Sequence, residues 1–394
     1  MRRVYDSRGR ETVEATITTH SGHVGRAGAP SGASTGVHEV NAFPPGGVAE
    51  ALATFRSTAT EKLIGLDVTD QRALDRRLHE IDGTSNFSRI GGNTATAVSV
   101  AAAIAHAAAE GRPLWEVLRP GRERPGPPAI VGNCLNGGRH AIGGPDIQEF
   151  LAYAEGSPER AIPAALAVHR VVGETLHRRY PKHVLGRGDE GGWVAPVTNL
   201  TALEILTEAC DTIRTETGAQ VHPGLDLAAS EFFRGGRYRY AENTVDTTGQ
   251  LDYVTGLIDR FDLRYLEDPF QQEDFGAFAE LTRAKGGRTL VVGDDLYATD
   301  AGRLRLGIER KSSNAILVKV NQVGTLSDTF ETLDLAKASK IQTIISHRSG
   351  DLPEGWLAHL AYGRRAAGLK CGLLGGERVA KLNELLRVAA ATGD

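Results

Sequence analysis

Six short apolar runs, each ending in a charged or polar residue, constrain the second part of this chain more than any other feature. They are HPGLD (ending at Asp226), LRYLED (Glu267), TLVVGDD (Asp294), AILVKVNQ (Lys319), TIISHRSG (His347) and GLKCG (Lys370). From Glu267 to Asp294, Lys319, His347 and Lys370 the steps are 27, 25, 28 and 23 residues. One strand, one helix and two loops need about that length. AFAELTRAK and LSDTFETLDLAKASK have the pattern of the helices between them. Repeated β/α units with polar strand ends predict a parallel β/α barrel. An open doubly wound sheet is the alternative, and no GxGxxG follows the first strand to support it.

In a barrel the C-terminal strand ends share one mouth. Asp226, Glu267 and Asp294 then converge, and three carboxylates in one pocket call for a cation between them. Oxygen-only ligands suit a hard divalent ion, Mg²⁺ by default. The competing reading is three unrelated surface acids. Lys319 follows on the next strand. The chain has nine lysines among its 45 basic residues, so arginine was the easy choice there. An arginine cannot act as a base, whereas a desolvated lysine beside other cations can. A lysine simply paired to a barrel carboxylate is the plainer alternative.

Three further motifs offer ligand chemistry. SHRSG (346–350) joins a guanidinium, hydroxyls and an imidazole, the make-up of a phosphate or carboxylate clamp. GDEGG (188–192) sets two acids between glycines, which permits close approach. PSGASTG (30–36) resembles a phosphate cradle without the GK[ST] of a P-loop, so nucleotide binding is not expected.

The first third has a different texture. ETVEATITTH and HVGRAGA flank a Ser-Gly turn as a hairpin. GGNTATAVSVAAAIAHAAAE reads as a long helix, capped by Asn93 or Thr94 and ended by Gly111 and Pro113. RPGRERPGPP (119–128) is the best linker. The expected division is an α+β domain at 1–120 and a barrel domain at 129–394.

A net charge of −4 offers no footprint for nucleic acid or a membrane surface. No signal-peptide core or long apolar run occurs, and the three cysteines form no CxxC pair. A cytoplasmic protein with reduced thiols is expected.

PSGASTG, NGGRHAIGGPDIQEF, GDEGG, GLDLAASEF, LEDPF, VGDDL, KVNQVGTL, SHRSG and AKLNELLR, in that order along nearly the whole chain, resemble enolase. The resemblance implies an N-terminal α+β domain on a modified (β/α)8 barrel, with some antiparallel character at the barrel's start. It implies a magnesium-dependent lyase that dehydrates 2-phosphoglycerate to phosphoenolpyruvate. Asp226, Glu267 and Asp294 match the first Mg²⁺ site. Ser34 matches the serine that meets a second Mg²⁺ once substrate is bound. Lys319 matches the base, and Glu190, with Glu149 beside it, the acid. His140 and His347 match pocket histidines, and Gln148 a pocket residue. Arg348 and Ser349 match the phosphate clamp, and Lys370 the lysine on the substrate carboxylate. Asp6–Gly9, Glu14 and Arg378 keep the pattern of a homodimer edge.

The match departs from the family at loops around the mouth. VNAFPPGG follows the PSGASTG loop, WVAP follows GDEGG, DLPEGWLAH follows SHRSG, and GLLGGER replaces the usual segment after the Lys370 strand. These departures raise an alternative: a specialised branch such as carboxyphosphonoenolpyruvate synthase of phosphonate biosynthesis, which uses the same site.

Overall fold

The computed structural model describes residues 1–32, 36–122 and 125–394. Strands Arg2–Tyr5, Glu11–Thr18 and Val24–Gly28 form an antiparallel sheet, with the predicted hairpin between the last two. The alanine-rich helix Gly92–Glu110 lies across it and is buried almost all round. Its small side chains let the elements approach closely: a Cβ on Gly25 would stand 2.0 Å from the Ala101 carbonyl oxygen.

The helix ends at Gly111 in the left-handed conformation, as the sequence predicts, but its start differs. Gly91 occupies the cap position, and Asn93 and Thr94 lie inside the first turn. Asn93 is used elsewhere. Its amide donates to Ser31 Oγ at 3.2 Å and accepts from Asn321 Nδ2 at 3.2 Å, tying the segment around Ser31 to the barrel.

Eight strands close the barrel: Ala129–Asn136, Glu149–Glu155, Gln220–Asp226, Tyr265–Glu267, Leu290–Gly293, Ala315–Val318, Gln342–Ser346 and Gly368–Gly372. The last pairs with the first, which excludes an open sheet. The second strand runs antiparallel to both neighbours, and the other barrel pairings are parallel. The register puts Glu149 opposite Asp226 and Asp226 opposite Glu267, a row of three acids along the mouth.

Below that row the interior is filled by an apolar plug that includes Val131, Leu151, Tyr265, Val292, Leu317 and Ile344. Thr198, Asp246, Asp274, Asp300 and Thr325 cap the outer helices, each accepting a backbone N–H of the first turn. These caps fix where each helix starts. The linker at 119–128 includes residues 123 and 124, which lie outside the described residues.

The candidate active site

The charged strand ends meet in one cavity at the mouth. Glu149, Glu190, Asp226, Asp268, Asp294 and Asp295 line it together with Lys319, Arg348 and Lys370. Six carboxylates thus face three cationic side chains, with Glu267 buried just beneath. Gln148, His140, His347 and Ser349 complete the wall, so twelve of the thirteen residues expected there from sequence share one site. The thirteenth, Ser34, lies outside the described residues.

Two lysines organise the acids. Lys370 Nζ lies 3.0 Å from Asp226 Oδ2, 2.7 and 2.8 Å from the two Glu267 oxygens, and 3.3 Å from Glu149 Oε2. Lys319 Nζ donates to Asp294 Oδ2. Asp226, Glu267 and Asp294 are therefore drawn to two different ammonium groups. Among the described residues, the sets whose ligand atoms already lie within 4.8 Å of one another are His140–Glu149–Glu190 and Asp268–Asp294–Asp295.

The donor set still fits a hard divalent ion. Its ligands are oxygens, acids outnumber cations, and these carboxylates gather whatever positive charge is within reach. Burial pushes the Glu267 carboxyl up to about 8, with the Asp226 charge adding to the shift. That is the signature of crowded acids short of countercharge.

Burial works most strongly against the Lys319 ammonium, but the Asp294 and Glu267 carboxylates together outweigh it and hold the amine above its ordinary range. The plainer expectation, a lysine paired to a barrel carboxylate, describes this state. Arg348 and Lys370 push the other way. Nearby cations lower a lysine's hold on its proton, and the carboxylates offset them here.

Across the barrel, burial and the neighbouring Glu190 charge push Glu149 well up. Burial opposes ionisation of Glu190 too, but His347, His140 and Arg378 outweigh it and hold it well below the usual range. Glu190 Oε2 lies 3.2 Å from both His347 Nε2 and Asn133 Nδ2. His140 stands between the carboxyls, 3.6 Å from Glu149 and 3.9 Å from Glu190. The two carboxyls are thus pushed in opposite directions, Glu149 toward its protonated form and Glu190 toward its anion.

The glycines around Glu190 serve a close approach, to protein rather than ligand. Gly191 has φ +80, and a Cβ there would meet the Leu374 carbonyl at 2.4 Å. A Cβ on Gly192 would meet Asn136 Oδ1 at 2.5 Å. Trp193 locks this loop from outside. Its indole N–H donates to the His169 carbonyl at 3.0 Å, and its ring lies against Gly173.

Arg348, expected to clamp a phosphate, carries a partner that sequence reading missed. Arg348 holds Glu39, just beyond the PSGASTG loop, at 3.0 and 3.1 Å, and donates to Asn321 at 2.8 Å. Asp268 and Asp295 were also missed, although each directly follows a predicted acid in LED and GDD. Asp268 accepts the backbone N–H groups of Asp294 and Asp295 at 2.9 and 2.8 Å, which fixes the turn carrying Asp294. Arg378, expected at a dimer edge, is instead wholly buried beneath the SHRSG loop. Its guanidinium is occupied by that loop's carbonyls and so cannot meet another chain.

Residues 1–118 match the family model "Enolase, N-terminal domain" and residues 127–394 match "Enolase, C-terminal TIM barrel domain". An enolase of Methanosphaera stadtmanae is 46% identical over 98% of this chain and 95% of its own length. One of Halorubrum lacusprofundi is 45% identical over 99% of this chain and 97% of its own length. One of Methanothermobacter thermautotrophicus is 45% identical over 98% and 94%. With both family models matched and such identity sustained from end to end, the chain belongs to the enolase family.

Proposed function

We propose that the protein dehydrates 2-phosphoglycerate to phosphoenolpyruvate, with Lys319 as base and the Glu149–Glu190 pair as acid. One observation carries this reading. In strand order around the closed barrel, the Lys319 strand is four places from the Glu149 strand, so the two stand on opposite sides of the mouth. A dehydration that takes a proton from one face and protonates a departing hydroxyl on the other needs that placement.

Neutral Lys319 takes the proton α to the substrate carboxylate. Lys370 turns its ammonium to that carboxylate as negative charge develops there. The proton held between Glu149 and Glu190 goes to the leaving hydroxyl, and His140 keeps the two carboxyls apart. Arg348 and Ser349 grip the phosphate, and Gln148 and His347 close the wall. Two Mg²⁺ ions, the first held by Asp226, Glu267 and Asp294 and the second by Ser34 with substrate present, would stabilise the charge of the carboxylate dianion.

The phosphonate branch is not favoured, since the full-length relatives above are enolases. Domain limits of 1–120 and 129–394, a homodimer and a cytoplasmic location complete the proposal. Among the described residues no helix is long and apolar enough to cross a membrane. Purified protein with Mg²⁺ and 2-phosphoglycerate should show rising ultraviolet absorbance as phosphoenolpyruvate forms. A flat trace at saturating ion and substrate refutes the proposal.

A further inference from the structure

Arg378 has no role in the reaction just described, yet it is among the largest fully buried side chains of the molecule. It stands in the first turn of the helix Gly376–Thr392 and reaches under both loops that carry reacting groups. One nitrogen donates to the Arg348 carbonyl at 2.6 Å, and the other to the carbonyls of Ser349 at 2.6 Å and Asp189 at 3.1 Å. Glu377 at 3.2 Å and Asp351 at 3.4 Å supply its countercharge.

The same Nη1 lies 2.6 Å from His347 Nδ1. A guanidinium has donors and no acceptor, so the ring nitrogen facing it must offer a lone pair. The backbone N–H of Gly372 points at that nitrogen as well, at 3.4 Å. Two donors from separate elements thus converge on Nδ1. The only proton of a neutral imidazole is then on Nε2, which faces Glu190 Oε2 at 3.2 Å.

We propose that Arg378 is a positioning residue that fixes the tautomer of His347, so that Nε2–H always donates to the Glu190 carboxylate. A His347 with its proton on Nδ1 would turn a lone pair toward an anion and let Glu190 swing away from the Glu149 side. The groups facing the imidazole agree: Glu190 lies on the Nε2 side, with Arg378 and the Asp351 behind it on the other. Burial holds His347 near 4, so the ring stays neutral at ordinary pH and must choose one tautomer. This inference deepens the reading of Glu190 as part of the acid, and its first test is independent of turnover.

Ring-¹⁵N-histidine spectra of the Mg²⁺-loaded wild-type protein should show His347, identified by its loss in His347→Gln, as the Nε2–H tautomer. A coupling across the hydrogen bond to Arg378 Nη1 is also expected. A proton on Nδ1 overturns the proposal whatever any variant does, including a variant that does not fold. In Arg378→Met the signal should move to a tautomer mixture or to imidazolium. Its kcat should fall by about 10–100-fold, the usual effect of removing a supporting partner, with KM little changed. Arg378→Lys, which keeps one donor, should recover part of both. A folded methionine variant with wild-type spectrum and kcat refutes the assignment.

Discussion

Replacing Lys319 by arginine and by methionine separates its two jobs. In the resting protein its ammonium neutralises Asp294, whose side chain is 11% exposed. Methionine removes that charge and keeps most of the volume. Breaking a buried ion pair from one side costs about 3–5 kcal/mol. Gln322 Nε2 still donates to the other Asp294 oxygen at 3.1 Å, which places Lys319→Met at the lower end, about 3 kcal/mol. Lys319→Arg keeps the charge beside Asp294 and should lose much less. For the reaction the ordering disappears: neither side chain can accept a proton at neutral pH. Exchange of the substrate's α-proton with deuterated solvent should fall by at least about 10²–10⁴-fold in both, or roughly 3–5 kcal/mol of barrier at about 1.4 per decade. Denaturant melts in chelator should rank wild type, arginine, methionine. Adding Mg²⁺ should return most of the methionine variant's deficit without returning exchange. An arginine variant that exchanges within tenfold of wild type would remove Lys319 as the base. A methionine variant as stable as wild type in chelator would mean that Asp294 does not depend on it.

Gly173→Ala would push a methyl to 2.4 Å from the Trp193 ring. Overpacking of about 1–3 kcal/mol is expected, with a shift in tryptophan fluorescence and lower kcat; unchanged fluorescence and kcat would show that Trp193 does not lock the Glu190 loop. Asp75 accepts Ser327 N–H and Oγ–H at 2.9 and 2.6 Å, joining the helix Gln71–Asp82 to the barrel. Asp75→Ala leaves those donors unmatched and should cost about 1–3 kcal/mol in a denaturant melt, an expectation that a wild-type midpoint would refute. Glu354 accepts the Gly28 N–H at 2.9 Å and the Trp356 indole at 3.1 Å, and burial pushes its carboxyl from 4.5 up to about 7. The folded state then binds a proton more tightly than the unfolded chain, so this group's stabilisation is full below pH 4.5 and is lost as pH rises through 7. Glu354→Gln should flatten the stability profile between those values, and an unchanged slope would assign it to another group.

The parts of the site legible in the sequence are those set by local periodicity. A strand of three to eight residues that must end at the mouth puts its next polar residue there, which is why Asp226 could be placed from its apolar run, and Glu267, Asp294, Lys319 and His347 from their runs and regular spacing. Glu190, Glu149 and His140 could not. They come from the antiparallel start of the barrel and from an excursion between two strands, where the regular step fails; GDEGG marked Glu190 only as a point of close approach, and the family motifs gave all three their places. The helix cap at Asn93 was misplaced because capping propensity is local, whereas the asparagine is claimed by Ser31 and Asn321 from distant segments.

Electrostatic state is further still from the sequence. Lys319 was expected to be a base poised by cations, and in the resting protein it is an ammonium on Asp294. Both descriptions follow from the same charges. The mouth has more acids than cations, so each lysine is first a counter-ion. Lys370 lies on Asp226 and Glu267 for the same reason. A lysine can trade a carboxylate for a proton-transfer role because its point charge sits on a flexible stem and carries one removable proton. A guanidinium in the same place would stay with Asp294 in a forked pair. What distinguishes Lys319 from the 36 arginines of this chain is therefore reversibility: it neutralises Asp294 at rest, and in the proposed reaction it is the group whose charge can be given up.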